Sequence, residues 1–142
     1  MSSELDQIKF IKQQIIKVEG GNVFKIMTKS NYKEFSFQEA YFSSIDFNFV
    51  KGWKMQAKMK SNICVPIGKV KFTFVSKDYK KHKSFIIGEN NYGLISIPPK
   101  IWYSFKGLSK KTSLILNISD REHDEKNIKK INLDEFPLKL KL

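Results

Sequence analysis

The sequence predicts an all-β domain, folded as a sandwich or a closed barrel. Three observations lead there: apolar residues recur at every second position over short segments, β-branched and aromatic residues are abundant with 12 Phe in the chain, and Gly, Pro and Asn separate the segments. In chain order the predicted strands are Ile8 to Val18, Val23 to Thr28, Glu39 to Ile45, Gly52 to Met59 and Ile63 to Ile67, followed by Lys69 to Ser76, Ser84 to Ile87, Gly93 to Ile97, Tyr103 to Lys106 and Ser113 to Ile118. Strands this short and this frequent close on themselves or pack in pairs of sheets. Gly20-Gly21, Gly68, Asn90-Asn91-Tyr92-Gly93 and Pro98-Pro99 supply the backbone conformations for the reversals between them.

A chain of 142 residues has room for one hydrophobic core and no second domain. With 41% hydrophobic and 13% aromatic residues it has ample apolar material to fold. The formal net charge of +12 points to an anionic partner: nucleic acid, a membrane surface or a phosphorylated small molecule. Arg121 is the only arginine, so the charge is carried by lysine. Because bidentate recognition of phosphate and bases favours arginine, the charge is weak support for a nucleic-acid partner.

Met1 to Gln7 is polar, carries Glu4 and Asp6 and leads into no uninterrupted apolar run, which predicts neither a signal peptide nor a membrane span, and a cytoplasmic protein. Cys64, the single cysteine, sits in Ile63-Cys64-Val65 and reads as a small buried hydrophobe, so no disulfide is expected. Lys77 to Lys83 is a dense basic stretch read as a solvated loop, with a phosphate or nucleic-acid patch as the alternative. From Asp120 onward the chain becomes strongly charged before Phe136-Pro137-Leu138, which suggests a short helix or an extended arm packed over the barrel.

Two blocks carry a family resemblance. The first is Glu39-Ala40-Tyr41-Phe42-Ser43, with Val50-Lys51-Gly52-Trp53-Lys54-Met55-Gln56 and Val65-Pro66-Ile67-Gly68-Lys69-Val70-Lys71-Phe72. The second is Asn91-Tyr92-Gly93-Leu94, Ile97-Pro98-Pro99 and Trp102 to Ser109, continued by Leu116-Asn117-Ile118 and His123-Asp124. Together they resemble the short members of the dTDP-4-dehydrorhamnose 3,5-epimerase family, the RmlC-like cupins. The resemblance implies a double-stranded β-helix, or jelly roll, forming one domain over residues 1–142, with its core at about 20–124 and a C-terminal arm at 125–142. It also implies an active site inside the barrel and a homodimer.

One alternation then has two readings. Trp53, Met55, Ala57 and Met59 alternate with Lys54, Gln56, Lys58 and Lys60. Period two alone buries the first set and exposes the lysines. The family reading turns Lys54 and Gln56 into the barrel, and both hold if a further sheet or a partner subunit covers the outer face.

In the family a base removes a proton beside the ketone of a 4-keto sugar nucleotide, a cation stabilises the enolate oxygen and an acid returns the proton. The resemblance places Lys54 at the base position, normally histidine, and Leu116 at the acid position, normally tyrosine. Tyr103 stands for a second pocket histidine, Ser61 for the pocket lysine with Lys60 beside it, and Lys51 for the substrate-binding arginine. Lys54 and Tyr103 are therefore the candidate catalytic residues, and Lys51, Gln56, Lys60 and Ser61 the candidate substrate-binding ones. Metal-dependent cupins place ligands where this chain has Lys54, Gln56, Ser61 and Tyr103, and a protonated lysine repels a divalent cation, so no metal or other cofactor is expected.

The resemblance implies a sugar-nucleotide epimerase or isomerase of polysaccharide or glycan precursor biosynthesis with altered catalytic residues, acting on a nucleoside diphosphate sugar, in particular a dTDP-linked 4-keto sugar. The alternative is a non-catalytic cupin that binds a nucleotide sugar or partners an active enzyme. No membrane partner is expected, and a nucleic-acid partner is disfavoured because no basic strand carries stacking aromatics.

Overall fold

The structure is a computed structural model that describes residues 4–142, so the first three residues of the polar N-terminal segment lie outside it. After a turn of 3-10 helix at Glu4–Gln7 come β1 (Lys9–Lys12), β2 (Ile15–Ile16), β3 (Val23–Phe24), β4 (Glu39–Ile45), β5 (Val50–Gln56) and β6 (Ser61–Ile67). They are followed by β7 (Lys69–Val75), β8 (His82–Gly88), β9 (Gly93–Ile97), β10 (Trp102–Gly107), β11 (Ser113–Ser119) and, beyond a second 3-10 turn at Glu125–Asn127, β12 (Ile128–Lys130). Two five-stranded sheets, in the orders β1-β9-β6-β11-β4 and β12-β5-β10-β7-β8, form the jelly roll, and β2 pairs with β3 in a separate ribbon. Every named strand pair is antiparallel.

The core lies between the sheets. Phe72 and Phe74 of β7 meet Ile63 and Val65 of β6, Ile95 of β9 and Ile115 of β11. Phe72 and Phe74 are essentially inaccessible, and each contributes about 1.5–3 kcal/mol from burial. Leu5, Ile8 and the partly buried Phe10 also belong to this core, so it begins well before residue 20. The predicted strand Ile8 to Val18 is broken: β1 pairs with β9, and β2 leaves to meet β3.

Each sheet also has a covered outer face. On the first, Cys64, Tyr92 and Leu94 pack under Ile15, Phe24 and Met27 from the N-terminal segment. On the second, Trp53, Met55, Val75 and Trp102 pack under Phe136, with Ile131 and Leu138 around it. The C-terminal arm thus supplies the cover that the β5 alternation requires. It is extended rather than helical, with β12 pairing β5 in the register Ile128↔Gln56, Lys129↔Met55 and Lys130↔Lys54. No helix among the described residues is long and apolar enough to cross a membrane.

Candidate functional site

The site begins with an irregularity in β5. Tyr103 of β10 pairs with Lys54, but Phe105 pairs with Lys51, so Gly52 and Trp53 together oppose Ser104 in a β-bulge. In a regular strand, residues three apart face opposite sides of the sheet. The extra residue corrects that offset and brings Lys51 and Lys54 to the same inward side, beside Tyr103 and Phe105. Gly52 is required here. Its φ is +151°, and a Cβ at this position would lie 2.5 Å from the Cβ of Ser104.

Lys51, Lys54, Tyr103, Phe105, Lys130 and Asn132 line a cleft of about 280 Å³ at the barrel mouth. The Lys54 ammonium stands 5.8 Å from the centroid of the Tyr103 ring, within cation-π range. Lys51 Nζ donates to the carbonyl of Ser44 at 2.8 Å, tying β5 to β4 across the mouth. Deeper in, Gln56, Ser61 and Tyr103 close on Met59, Ile97 and Ile101 around a gap of only about 10 Å³, which is about the room one water occupies. Tyr103 therefore separates an open mouth from a filled floor.

Two further inward residues were not singled out in the sequence. Tyr41 of β4 accepts from Asn117 Nδ2 of β11 at 3.1 Å, and it lies close enough to Tyr103 to influence its ionisation. Asn117 Oδ1 is buried and has no hydrogen-bond partner, which leaves an acceptor open to a donor inside the barrel. The alternation of Glu39, Tyr41, Ser43 and Ile45 could have revealed Tyr41 once one of these residues was known to face inward.

The electrostatics follow from burial and neighbouring charge. Burial lowers the pKa of Lys54, and Lys130 lowers it further, while Glu125 opposes the shift. Glu125 is itself held below the ordinary carboxylate range, first by its hydrogen bond with His123 and then by Lys130. Burial raises the pKa of Tyr103, with the neighbouring Tyr41 adding to the shift. That of Tyr41 rises by burial and by Glu39, against the Asn117 bond. The phenols are held protonated beside an amine with a weakened preference for its proton.

The structure brings Lys51, Lys54 and Tyr103 together at the mouth, and Gln56, Ser61 and Tyr103 together at the floor. Lys60 stands apart: it is exposed in the turn after β5, where its backbone N–H donates to Asp120 Oδ1 at 2.9 Å. Leu116 does not occupy the inward position that the resemblance gave it. It packs in the outer cluster with Cys64, Tyr92 and Leu94, because β11 turns Ser113, Ile115, Asn117 and Ser119 inward and the residues between them outward. The inward residue beside it is Asn117.

Lys54, Gln56, Ser61 and Tyr103 offer an amine, an amide, a hydroxyl and a phenol, a donor set that does not fit a divalent cation. Among the described residues no three His, Cys, Asp or Glu side chains converge as a metal site would require. His82 and His123 are both exposed.

The two facing antiparallel sheets and the polar mouth between them define an RmlC-like cupin. The family model described as FdtA, WxcM-like, C-terminal matches residues 6–138, and the chain belongs to that family. Among solved structures, a dTDP sugar isomerase from Desulfovibrio desulfuricans G20 superposes with a TM-score of 0.86 at 24% identity, over 93% of this chain and 88% of that one. QdtA, a sugar 3,4-ketoisomerase from Thermoanaerobacterium thermosaccharolyticum in complex with TDP, superposes at 0.72 with 19% identity, over 85% of each chain. The epimerase RmlC from Legionella pneumophila Philadelphia 1, in complex with dTDP-4-keto-L-rhamnose, superposes at 0.78 with 17% identity, over 92% of this chain and 76% of that one. These likenesses establish the fold. No curated protein matches the chain.

Proposed function

We propose that the barrel mouth binds a nucleoside diphosphate sugar carrying a 4-keto group and isomerises it by proton transfer beside the ketone, in glycan precursor biosynthesis. The observation that carries this reading is the Lys54 ammonium above the Tyr103 ring at the boundary between open cleft and filled floor. Burial favours the neutral form of Lys54, which would take the proton beside the ketone and, as the ammonium so formed, stabilise the enolate; the Tyr103 hydroxyl would return a proton to the carbon and recover one from Lys54 or solvent. Lys51 and Lys130 on either side supply positive charge for a diphosphate. Family membership and the TDP-bound and dTDP-sugar-bound neighbours support the substrate class.

The experiment is solvent deuterium exchange into a dTDP-linked 4-keto-6-deoxy sugar. Exchange in the wild type that disappears in Lys54→Met is the expected result. Its absence from the wild type would eliminate the isomerase reading. The second reading, binding without turnover, is favoured by the floor: a gap of about 10 Å³ leaves no depth for the sugar beyond Tyr103. It predicts binding of the same ligand with no exchange.

A homodimer and a cytoplasmic setting belong to the same proposal. The dimer is supported by exposed aromatics along one edge strand and the turn after it: Phe42 at 63% exposure, Phe49 at 58% and Phe47 at 46%.

A further inference from the structure

A cleft of about 780 Å³ lies outside the barrel. It lies on the outer face of the second sheet, where Met55 and Trp102 point while their neighbours Lys54 and Tyr103 face the barrel, and it meets the mouth cleft at Lys130 and Ile131. Four lysines border it: Lys77 from the turn after β7, Lys100 from the turn after β9, and Lys129 and Lys130 from β12. Lys130 pairs with Glu125 at 3.3 Å, whereas Lys77, Lys100 and Lys129 pair with no carboxylate among the described residues. The carboxylate of Glu4 takes up the backbone N–H of Lys77 instead, at 3.0 Å.

The apolar wall is aromatic. Tyr79 lies nearly parallel to Trp102, with ring centroids 6.3 Å apart and planes 24° off parallel, and meets Phe136 edge-on at 5.5 Å. The turn is built to hold that ring. Tyr79 adopts a left-handed φ of 63°, while Ser76 Oγ donates to Asp78 Oδ1 at 2.7 Å, and the backbone N–H groups of Lys80 and Lys81 donate to Asp78 Oδ1 and Ser76 Oγ at 3.0 Å each. A non-glycine residue in this conformation costs free energy that the surrounding bonds must offset. The basic stretch Lys77 to Lys83 is thus not only a solvated loop: it delivers one cation and one ring to the same cleft.

Ammonium groups without carboxylate partners bordering one open cleft of small-molecule size, beside an aromatic wall, fit a ligand with a flat ring and several phosphates. We propose that this outer cleft is a second ligand site, for a nucleoside di- or triphosphate, with the base against Tyr79 and the phosphates on Lys77, Lys100 and Lys129. The aromatic wall is a single Tyr79–Trp102 pair, which offers one base a face and lacks the succession of stacking platforms a strand uses, and this favours a single nucleotide over a nucleic-acid strand.

The two tryptophans of the chain both report on this face, because Trp102 lines the cleft and Trp53 lies against Phe136 at its edge. Titration with ADP should change the tryptophan fluorescence saturably, with inorganic pyrophosphate competing. The double variant Lys100→Ala/Lys129→Ala should weaken ADP binding by about tenfold or more, and the charge-matched variant Lys17→Ala/Lys25→Ala, exposed and outside both clefts, should leave it unchanged. Both variants alter side chains outside the main core, and thermal melting would verify that each still folds. No saturable change at millimolar ADP would overturn the proposal. So would binding lost in Lys54→Met but kept in Lys100→Ala/Lys129→Ala, which would place ADP at the barrel mouth. An oligo-dT strand binding far more tightly than ADP would replace the nucleotide by a polymer. None of these results touches the keto-sugar reading, which is tested by deuterium exchange.

Discussion

Trp53 lies flat against Phe136, the ring centroids 4.0 Å apart and the planes 11° off parallel. This contact joins strand β5 to a segment more than 80 positions away in sequence, and it lets neighbouring residues of β5 serve opposite purposes. With the outer face of the strand buried under the arm, Trp53 and Met55 need no place in the barrel core, and Lys54 and Gln56 are free to face inward.

Replacing Phe136 with Ala should therefore destabilise the whole fold. The side chain is 1% exposed, and truncating a buried Phe costs about 3–5 kcal/mol. Denaturant unfolding should show the loss, with a red shift in tryptophan emission as water reaches Trp53. A variant as stable as the wild type would mean that the arm is not part of the folded core.

Gly52→Ala tests the bulge. The added methyl would enter the backbone region of Ser104, and the residue would have to hold a φ of +151°. A loss of about 1–3 kcal/mol is expected from the backbone conformation alone. Keto-sugar binding should fall in the same variant, because any relaxation of the bulge turns Lys51 or Lys54 away from the mouth. Calorimetry alongside ligand titration separates the two effects.

Much of the fold was legible because period two and turn residues are local signals. The predicted strands from Glu39 to Ile118 all fall on observed ones, with ends displaced by a few residues. β12 was not legible: Ile128-Lys129-Lys130 is too short and too charged to alternate, and it is a strand only because β5 offers it an edge. The inward set of β5 needed the covering arm to be known, since the lysines alone argue for solvent. Leu116 shows the opposite failure. Alternate residues of a strand take opposite faces, and β11 turns Leu116, read as standing at the acid position, into the outer cluster and Asn117 inward.

Tyr41→Phe removes the hydroxyl that accepts from Asn117, leaving an amide whose oxygen already lacks a partner with none on its nitrogen either. Stranding a buried polar group costs about 1–3 kcal/mol. The double variant Tyr41→Phe/Asn117→Leu removes both partners and should recover part of that loss. Urea midpoints for the two single variants and the double give the coupling energy. A coupling of zero would show that the bond contributes nothing to the fold.

Lys54→Met should reveal the cost of holding a cation at the barrel mouth. Burial and Lys130 lower the pKa of this amine below its ordinary 10.5, so the folded state releases the proton at a lower pH than the unfolded chain does. Between those two values the unfolded state binds more protons, and wild-type stability rises with pH. Below the lowered value the penalty is constant and present in full; by pH 10.5 most of it has been relieved. The Met variant has no such group. Its stability relative to wild type should be greatest near neutral pH and should shrink as pH rises toward 10.5, whatever methionine packing adds at all pH values. Urea unfolding of both proteins at pH 7 and at pH 10 measures that difference. A difference that does not change with pH would mean that Lys54 is solvated like any surface lysine, and the barrel-mouth site would lose the group on which its proposed chemistry depends.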